Sequence, residues 1–449
     1  MLLIRSINPH LDPLDLHCAN SARYPFILES VVHAGPHARY SIVFAFPGET
    51  VVLQPHDDGV DFLGELDKRW RQERELVDDR LELPFRGGWF VYLGYELVRQ
   101  IEPSLGPMLP AASETLPIAF ATRIPAAVIV DHIDRRAWLV AEAGRADLLD
   151  RMGEDVKSLT HGLSGLAKRC GARPEEDEPT GFLHSVGRIK EYIREGDVFQ
   201  VNLSRGWRGQ MADGVGAADL YRRLRLHNAA PFAGLALWGE GAIVSSSPER
   251  LVRVRGRIAE TRPLAGTRPR AAMRFADRAF SSELLAHPKE RAEHVMLIDL
   301  ERNDLGRVCR PGSVVVDELM VLESYAHVHH IVSNVRGELR PDVTPGQVIR
   351  AVFPGGTITG CPKVRCMEII GELERVGRGP YTGSMGYLNR DGSMDLNILI
   401  RTLVKDGSQL TLRAGAGIVA DSVPEWELEE TRAKARGPLM ALADGAPSG

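Results

Sequence analysis

Cysteine is scarce and scattered. The 449-residue chain has five, at Cys18, Cys170, Cys309, Cys361 and Cys366, and no Cys-x-x-Cys pair. An odd, dispersed set supports neither a disulfide framework nor a zinc site, and it fits a reducing cytoplasm. Long apolar runs are missing too. None reaches the roughly 18–20 residues of a membrane span, and Met1-Leu-Leu-Ile-Arg5 lacks the charged-then-apolar layout of a signal peptide. Positive charge is not in excess: the net charge is −5, which gives a nucleic-acid role no electrostatic support. A small anionic substrate depends on local basic residues instead and stays open. Internal repeats and low-complexity tracts are absent. What is present, 44% hydrophobic and 26% charged residues, is the composition of a soluble globular chain long enough for more than one structural unit.

Residues 1–165 read as one mixed unit. Strand-like segments are expected at 41–46, 51–53 and the glycine-bracketed aromatic run 87–95. A strand pair at 126–130 and 137–141 is joined by a turn at 131–136. Residues 62–83 are charge-rich and helix-like. At 166–181 the composition turns to Gly, Pro and the acidic run 175–178, which predicts an exposed linker. A second regular region covers 182–442, and 443–449 is a frayed tail. Strand and helix patterns interleave without a strict strand–helix–strand rhythm. The expected fold class is therefore α+β with antiparallel sheets, not a doubly wound parallel sheet.

The most informative stretch is Pro354-Gly-Gly-Thr-Ile-Thr-Gly-Cys-Pro-Lys363, with an amphipathic helix pattern at 364–373 placing Val364, Met367, Ile370 and Leu373 on one face. Its glycines would let backbone N–H groups approach an anion, the helix start adds partial positive charge, and Lys363 adds a full one. Glu290 and Glu293 are three apart in one helix-like window, and Glu427 and Glu430 in another, so each pair shares a face. Such pairs are ordinarily solvated surface. They also suit Mg²⁺, which takes one or two carboxylates and keeps several waters.

Further segments occur in a telling order. They are Val198-Phe-Gln-Val-Asn-Leu-Ser204, Ser247-Pro-Glu-Arg250, Glu260-Thr-Arg-Pro-Leu-Ala-Gly-Thr-Arg-Pro-Arg270 and Glu293-His-Val-Met-Leu-Ile-Asp299 running on to Gly306. His329-His-Ile-Val-Ser333, Asp395-Leu-Asn-Ile-Leu-Ile-Arg-Thr402 and Gly415-Ala-Gly-Ile-Val419 follow. Together with the glycine stretch and the 427–434 helix, this set resembles the chorismate-utilising enzymes: anthranilate, aminodeoxychorismate, isochorismate and salicylate synthases. The resemblance is strong over about 182–440 and looser before. It implies two large antiparallel sheets packed face to face with helices outside, and chorismate and Mg²⁺ in a cleft between them. Glu293 and Glu430 would bind Mg²⁺, with Glu290 and Glu427 holding its waters. Arg401, bidentately, and Tyr381 would grip the enolpyruvyl carboxylate. The ring carboxylate would meet Mg²⁺, the backbone N–H groups of Gly415, Ala416 and Gly417, and Lys434. Thr357 would add a hydroxyl. His330 would sit near the departing C4 oxygen, and Glu249 would protonate it.

Members that use water as nucleophile carry a lysine at the position of Gln200. Glutamine cannot deprotonate water, so amination by ammonia is expected. No cysteine sits in a Gly-x-Cys-x-Gly elbow, so a separate glutaminase subunit would supply the ammonia, in a heterodimer. Within the family the reading is an aminodeoxychorismate synthase large subunit. Asn202, the segments 230–234 and 355–360, and the short N-terminal part favour it. Ala265 favours the alternative, an anthranilate synthase, because many aminodeoxychorismate synthases have a nucleophilic lysine there. If the chain is an aminodeoxychorismate synthase, position 265 would face chorismate C2 across the cleft, close to Thr267 and the Thr357 loop. A non-catalytic regulatory paralogue is a remote third reading. Glu29, Ser30 and Arg39, with Asn228, Pro231 and Phe232 opposite, resemble the tryptophan pocket of anthranilate synthases.

Overall fold

Strand 88–93, Gly-Trp-Phe-Val-Tyr-Leu, is apolar on both faces and buried throughout. A strand of that kind must be covered on both sides, by a second sheet on one and by helices on the other. The computed structural model has that layering. It describes residues 2–443 except 33–38, 58, 76–82, 111–115, 160–167, 270–285, 287 and 325–327. At 265, 267–269, 288, 289, 324 and 328–330 it describes the backbone alone.

Two antiparallel sheets, of 12 and 10 strands among the described residues, form the centre. The larger runs in the order Leu3–Ile7, Arg136–Ala141, Ala126–Asp131, Tyr40–Ala45, Phe26–Glu29, Phe232–Trp238, Gly241–Ser247, Thr402–Asp406, Gln409–Ile418, Gln200–Gln210, Gly360–Cys361. The smaller runs Leu264–Pro269, Val328–Glu338, Ile258–Thr261, Arg250–Arg255, Met394–Asn397, Ser384–Asn389, Gly88–Leu93, Ala119–Ile124, Thr50–Leu53, with Val315–Ser324 also on Val328–Glu338. Between the sheets lies an aromatic core. Phe26 and Phe44 come from one sheet and Phe90, Tyr92 and Phe120 from the other. The rings of Phe26 and Phe90 stack with centroids 4.2 Å apart. Helices close the outer faces: Leu220, Leu224, Ala435 and Leu442 pack on the larger sheet, and Phe62, Leu66, Ile298, Val348 and Val352 on the smaller. The α+β sandwich expected from the sequence is the fold.

The N-terminal and C-terminal regions share both sheets. Strand 26–29 pairs with 232–238, and strand 88–93 pairs with 384–389. The acidic run expected in an exposed linker is partly ordered pairing instead. Glu175–Glu176 is a short strand on 200–210, and Glu176 bridges Arg205 and Arg432. Composition concealed this because the run meets arginines that are distant in sequence. The helix expected at 62–83 is described as Phe62–Glu73, capped by Asp61, whose side chain accepts from the Gly64 N–H. On helix Lys363–Glu374 the buried face is Cys366, Met367, Ile369 and Ile370; Val364 is 37% exposed, so the expected stripe is rotated. The expected tail, 444–449, lies outside the described residues.

Candidate active site

Two of the chain's crossings from one sheet to the other lie side by side. Strand 241–247 of the larger sheet continues through Pro248 and Glu249 into strand 250–255 of the smaller. Strand 394–397 of the smaller sheet returns through residues 398–401 to strand 402–406 of the larger. The crossings are tied: the Ile398 N–H donates to Glu249 O (3.0 Å), and the Ser247 hydroxyl donates to Ile398 O (2.5 Å). They carry Glu249 and Arg401 into one corner. Arg401 has φ 52, a left-handed backbone that costs a non-glycine residue about 1–2 kcal/mol. Its guanidinium has no hydrogen-bond or ion-pair partner among the described residues, although Glu249 is close enough to act on it electrostatically.

Glu249 is 5% exposed. Burial pushes its carboxyl up to about 7, against the opposing pull of the Thr357 hydroxyl, Lys434 and Arg401. Thr357 donates to Glu249 Oε1 at 2.7 Å from the 3₁₀ turn Gly356–Ile358. The glycines of this stretch have packing reasons. A methyl group on Gly356 would strike Leu300 of helix Pro288–Gly306, and Gly360, at φ 127, lies against Gln200 O. Lys363 does not point at an anion: it forms a buried ion pair with Asp304 (2.5 Å) and donates to Val352 O. The sequence could not show this, because Asp304 comes from a helix 59 residues earlier.

The second wall is the ladder of strands 200–210 and 409–418. Asn202 faces Gly417 and Ser204 faces Gly415 across it. Period-two alternation sends Val201, Leu203, Ala416 and Ile418 into the helix-covered core. Gln200, Asn202, Gly415 and Gly417 line the other face. Strand 402–406 stops pairing at Leu403–Leu412, so residues 413–418 have a ladder partner on one edge only. Gly415, Ala416 and Gly417 thus sit in a strand with one edge open, not in a loop. Lys434 of helix Pro424–Leu442 donates to Gly415 O (2.9 Å) and pairs with Glu430 (2.7 Å). Burial alone would lower the Lys434 ammonium; Glu430 reverses this and raises it. From the other side Gln200 Nε2 donates to Glu293 Oε1 (3.0 Å), and a methyl on Gly417 would lie 3.6 Å from that oxygen. Glu293 thus comes close to Gly417, whereas Glu430, from a helix far off in sequence, is linked to Gly415 through Lys434. Glu290 is half-buried on the Glu293 helix, while Glu427 is buried and Glu430 exposed on theirs.

Sequence reading missed the scaffold under this wall. Glu374 is buried between Arg378 (2.6 Å) and Arg413 (2.9 Å) and accepts from Ser204 N–H and hydroxyl. Arg378 also donates to Asn202 O (2.8 Å) and Ile358 O (3.1 Å), and lies 5.5 Å from the ring centroid of Tyr381. One guanidinium thus joins the ladder, the Thr357 turn and Tyr381. No spacing in the sequence signals it. For Ala265, Thr267 and His330 the backbone alone is described: Thr267 pairs with His330 and Ala265 with Ile331, across a bulge.

A separate cavity of about 300 Å³ is lined by Glu29, Ser30, Arg39, Pro231 and Phe232, together with Arg250 and Tyr387. Asn228 is not on its wall; it bonds to Ser246 instead. Glu29 is already engaged by Tyr221 (2.9 Å) and Arg225 (3.1 Å).

The model of the chorismate binding enzyme family matches residues 29–440. The chain belongs to that family. An anthranilate synthase component I-like protein of Synechocystis sp. is 40% identical over 93% of this chain and 86% of its own. Aminodeoxychorismate synthase component 1 of Bacillus subtilis is 42% identical over 80% of this chain and 77% of its own. The crystal structure of anthranilate synthase component I from Streptococcus pneumoniae superposes with a TM-score of 0.78 at 31% identity, covering 91% of this chain and 93% of that one. The chain is thus a chorismate-utilising enzyme whose relatives carry two product names. No helix among the described residues is long and apolar enough to cross a membrane.

Proposed function

We propose that the chain aminates chorismate with ammonia from a separate glutaminase subunit, giving 4-amino-4-deoxychorismate. The observation that carries this reading is a buried carboxyl that holds its proton near neutral pH in the corner beside Arg401, in a site whose second wall bears an amide where a base for water would stand. Glu249 is that carboxyl and Gln200 that amide. The relatives' designation as component I supports a second subunit.

Chorismate carries two carboxylates. Arg401, unpaired among the described residues, and the nearby Tyr381 suit one of them; Lys434 and the open edge at Gly415–Gly417 suit the other. The donor set also suits Mg²⁺: Glu293 and Glu430 would be its hard carboxylate ligands, with Glu290 and Glu427 one turn away on the same helices. No group of three His, Cys, Asp or Glu side chains that could hold a metal converges among the described residues; Mg²⁺ commonly takes one or two carboxylates and keeps several waters. Bound there, it would supply Lewis-acid stabilisation of the ring carboxylate.

In the reaction the ammonia lone pair forms a bond at C2, the ring double bonds shift and the C4–O bond breaks. The oxygen takes the Glu249 proton and leaves as water. With alanine at 265, a second ammonia adds at C4 and the C2 nitrogen departs as ammonia. The new C4 ammonium returns a proton to Glu249. One ammonia enters and one water leaves.

A second reading, anthranilate, is favoured by Ala265 and would need only the first addition followed by loss of pyruvate. Chorismate, Mg²⁺ and an ammonium salt at alkaline pH, followed by chromatography, separate the two. Aminodeoxychorismate appears as p-aminobenzoate only after a lyase is added, whereas anthranilate fluoresces directly. Anthranilate as sole product would replace the first reading with the second. No consumption of chorismate would refute both.

A further inference from the structure

A second cavity, of about 380 Å³, lies between the sheets next to the active site. Tyr381 is on its wall; Glu249, Arg401, Lys434 and Gly415–Gly417 are not. Strands 402–406 and 409–418 of the larger sheet supply Val404, Thr411 and Arg413, and strand 88–93 of the smaller supplies Tyr92. Leu116 and Val376 add apolar surface. The cavity also holds donors without acceptors. Arg413 gives its Nε to Ser204 and its Nη2 to Ser204 and Glu374, which leaves Nη1 with no partner among the described residues. The hydroxyls of Tyr92 and Thr411 make no hydrogen bond among them either. None of these three groups is sealed: Tyr92 is only 1% exposed, yet its hydroxyl, like Arg413 Nη1 and the Thr411 hydroxyl, keeps accessible surface.

The charged groups around the cavity leave Arg413 unanswered. Arg378 and Arg413 share one carboxylate, Glu374. Glu96 is also on the lining, but both its oxygens accept backbone N–H groups of Arg378 and Gly379. Arg208 is paired with Asp177 (3.0 Å). Asp406 lies across from Gln409, about 13 Å along the strand from Arg413. The complement of a guanidinium edge, two hydroxyl donors and apolar walls is a small acid with a flat apolar body. A sugar or a phosphate would leave the walls of Leu116, Val376 and Val404 uncovered. A purely apolar molecule would leave the donors unanswered.

We propose that this cavity is a second ligand site for a small aromatic monocarboxylate, held with its carboxylate on Arg413 and its ring against Leu116, Val376 and Val404. The site goes beyond the amination reading and does not depend on it. Tyr381 is the partition between the two sites: it lines this cavity, and its hydroxyl lies on the Gly415 side. A ligand here therefore sits beside chorismate and does not compete for the same groups.

The test is calorimetric titration of the full chain with benzoate as the probe. Saturating chorismate and Mg²⁺ are present, without ammonium, so that the substrate corner is occupied and no amination occurs. Benzoate should bind with a Kd below about 1 mM, within reach of a ligand of that size. Thr411→Trp fills the cavity from a residue outside the substrate corner and should weaken binding at least about tenfold. Thr411→Val removes only the hydroxyl and should weaken it about fivefold; it stands in for the tryptophan variant if that one unfolds. No benzoate binding up to about 10 mM would overturn the assignment, as would unchanged affinity in the folded variant. Neither result touches the amination reading, which product analysis decides.

Discussion

Glu249→Gln separates a protonated carboxyl from an ionised one. Glutamine reproduces the shape of the neutral acid but cannot titrate. In the folded chain burial raises the Glu249 carboxyl from 4.5 to about 7, so the native state holds a proton that the unfolded state has released. Stability from this group is full below about pH 4.5 and is lost as pH rises through about 7. At about 1.4 kcal/mol for each unit of pKa, the whole loss is about 3 kcal/mol. Some of it has already occurred at mildly acid pH, so between about pH 5.5 and 8.5 the expected change is about 2 kcal/mol. The Gln variant lacks this slope. Its stability relative to wild type should therefore improve by about 2 kcal/mol from the lower pH to the higher. Urea unfolding by fluorescence at both pH values, with the slopes compared to confirm a like transition, measures it. Turnover should fall by about 10²–10⁴ at every pH, because the proton donor is gone. If the stability difference does not move with pH, the wild-type carboxyl is ionised throughout. The role of Glu249 as general acid would then be wrong, whatever the loss of activity.

Glu293→Ala and Glu430→Ala should each abolish magnesium-dependent turnover while the far-ultraviolet circular dichroism is unchanged; retained activity in either would remove it from the proposed ion site. Arg378→Ala strips a buried ion from Glu374 and should cost about 3–5 kcal/mol in denaturant unfolding; a loss under about 1 kcal/mol, as for a surface pair, would show that the network does not hold the wall. The purified chain should use ammonium salts and not glutamine, and glutamine should become a substrate when a glutaminase subunit is added; glutamine-dependent turnover by the chain alone would count against a separate partner. Ala265→Lys should give a covalent chorismate adduct, seen as a gain in protein mass. If that variant loses activity without an adduct and wild type makes anthranilate, the aminodeoxychorismate reading is wrong.

Local pattern reaches as far as local forces do. The strand patterns at 41–46 and 126–141 and the three-residue spacing of the paired glutamates belong to single segments, and they appear in the structure nearly where the sequence puts them. The ordered motifs settle the family in the same way, since each is a short run whose residues can be read without its neighbours. Long-range pairing is a different matter. The 175–178 run reads as linker because its arginine partners lie on strand 200–210 and on helix 424–442. Lys363 reads as an anion ligand because Asp304 is invisible from the loop. Arg378 carries no signal at all, yet it joins three parts of the site. The sequence by itself determined which residue types are available: carboxylates in pairs, an arginine in the 395–402 motif, an amide in place of a base. Only the tertiary structure decided that two adjacent sheet crossings set Glu249 beside Arg401, and that Gln200 reaches Glu293 on a helix distant in sequence. The physical reason is that burial and pairing, which fix protonation and hydrogen-bond demand, are properties of the packed whole rather than of any one segment.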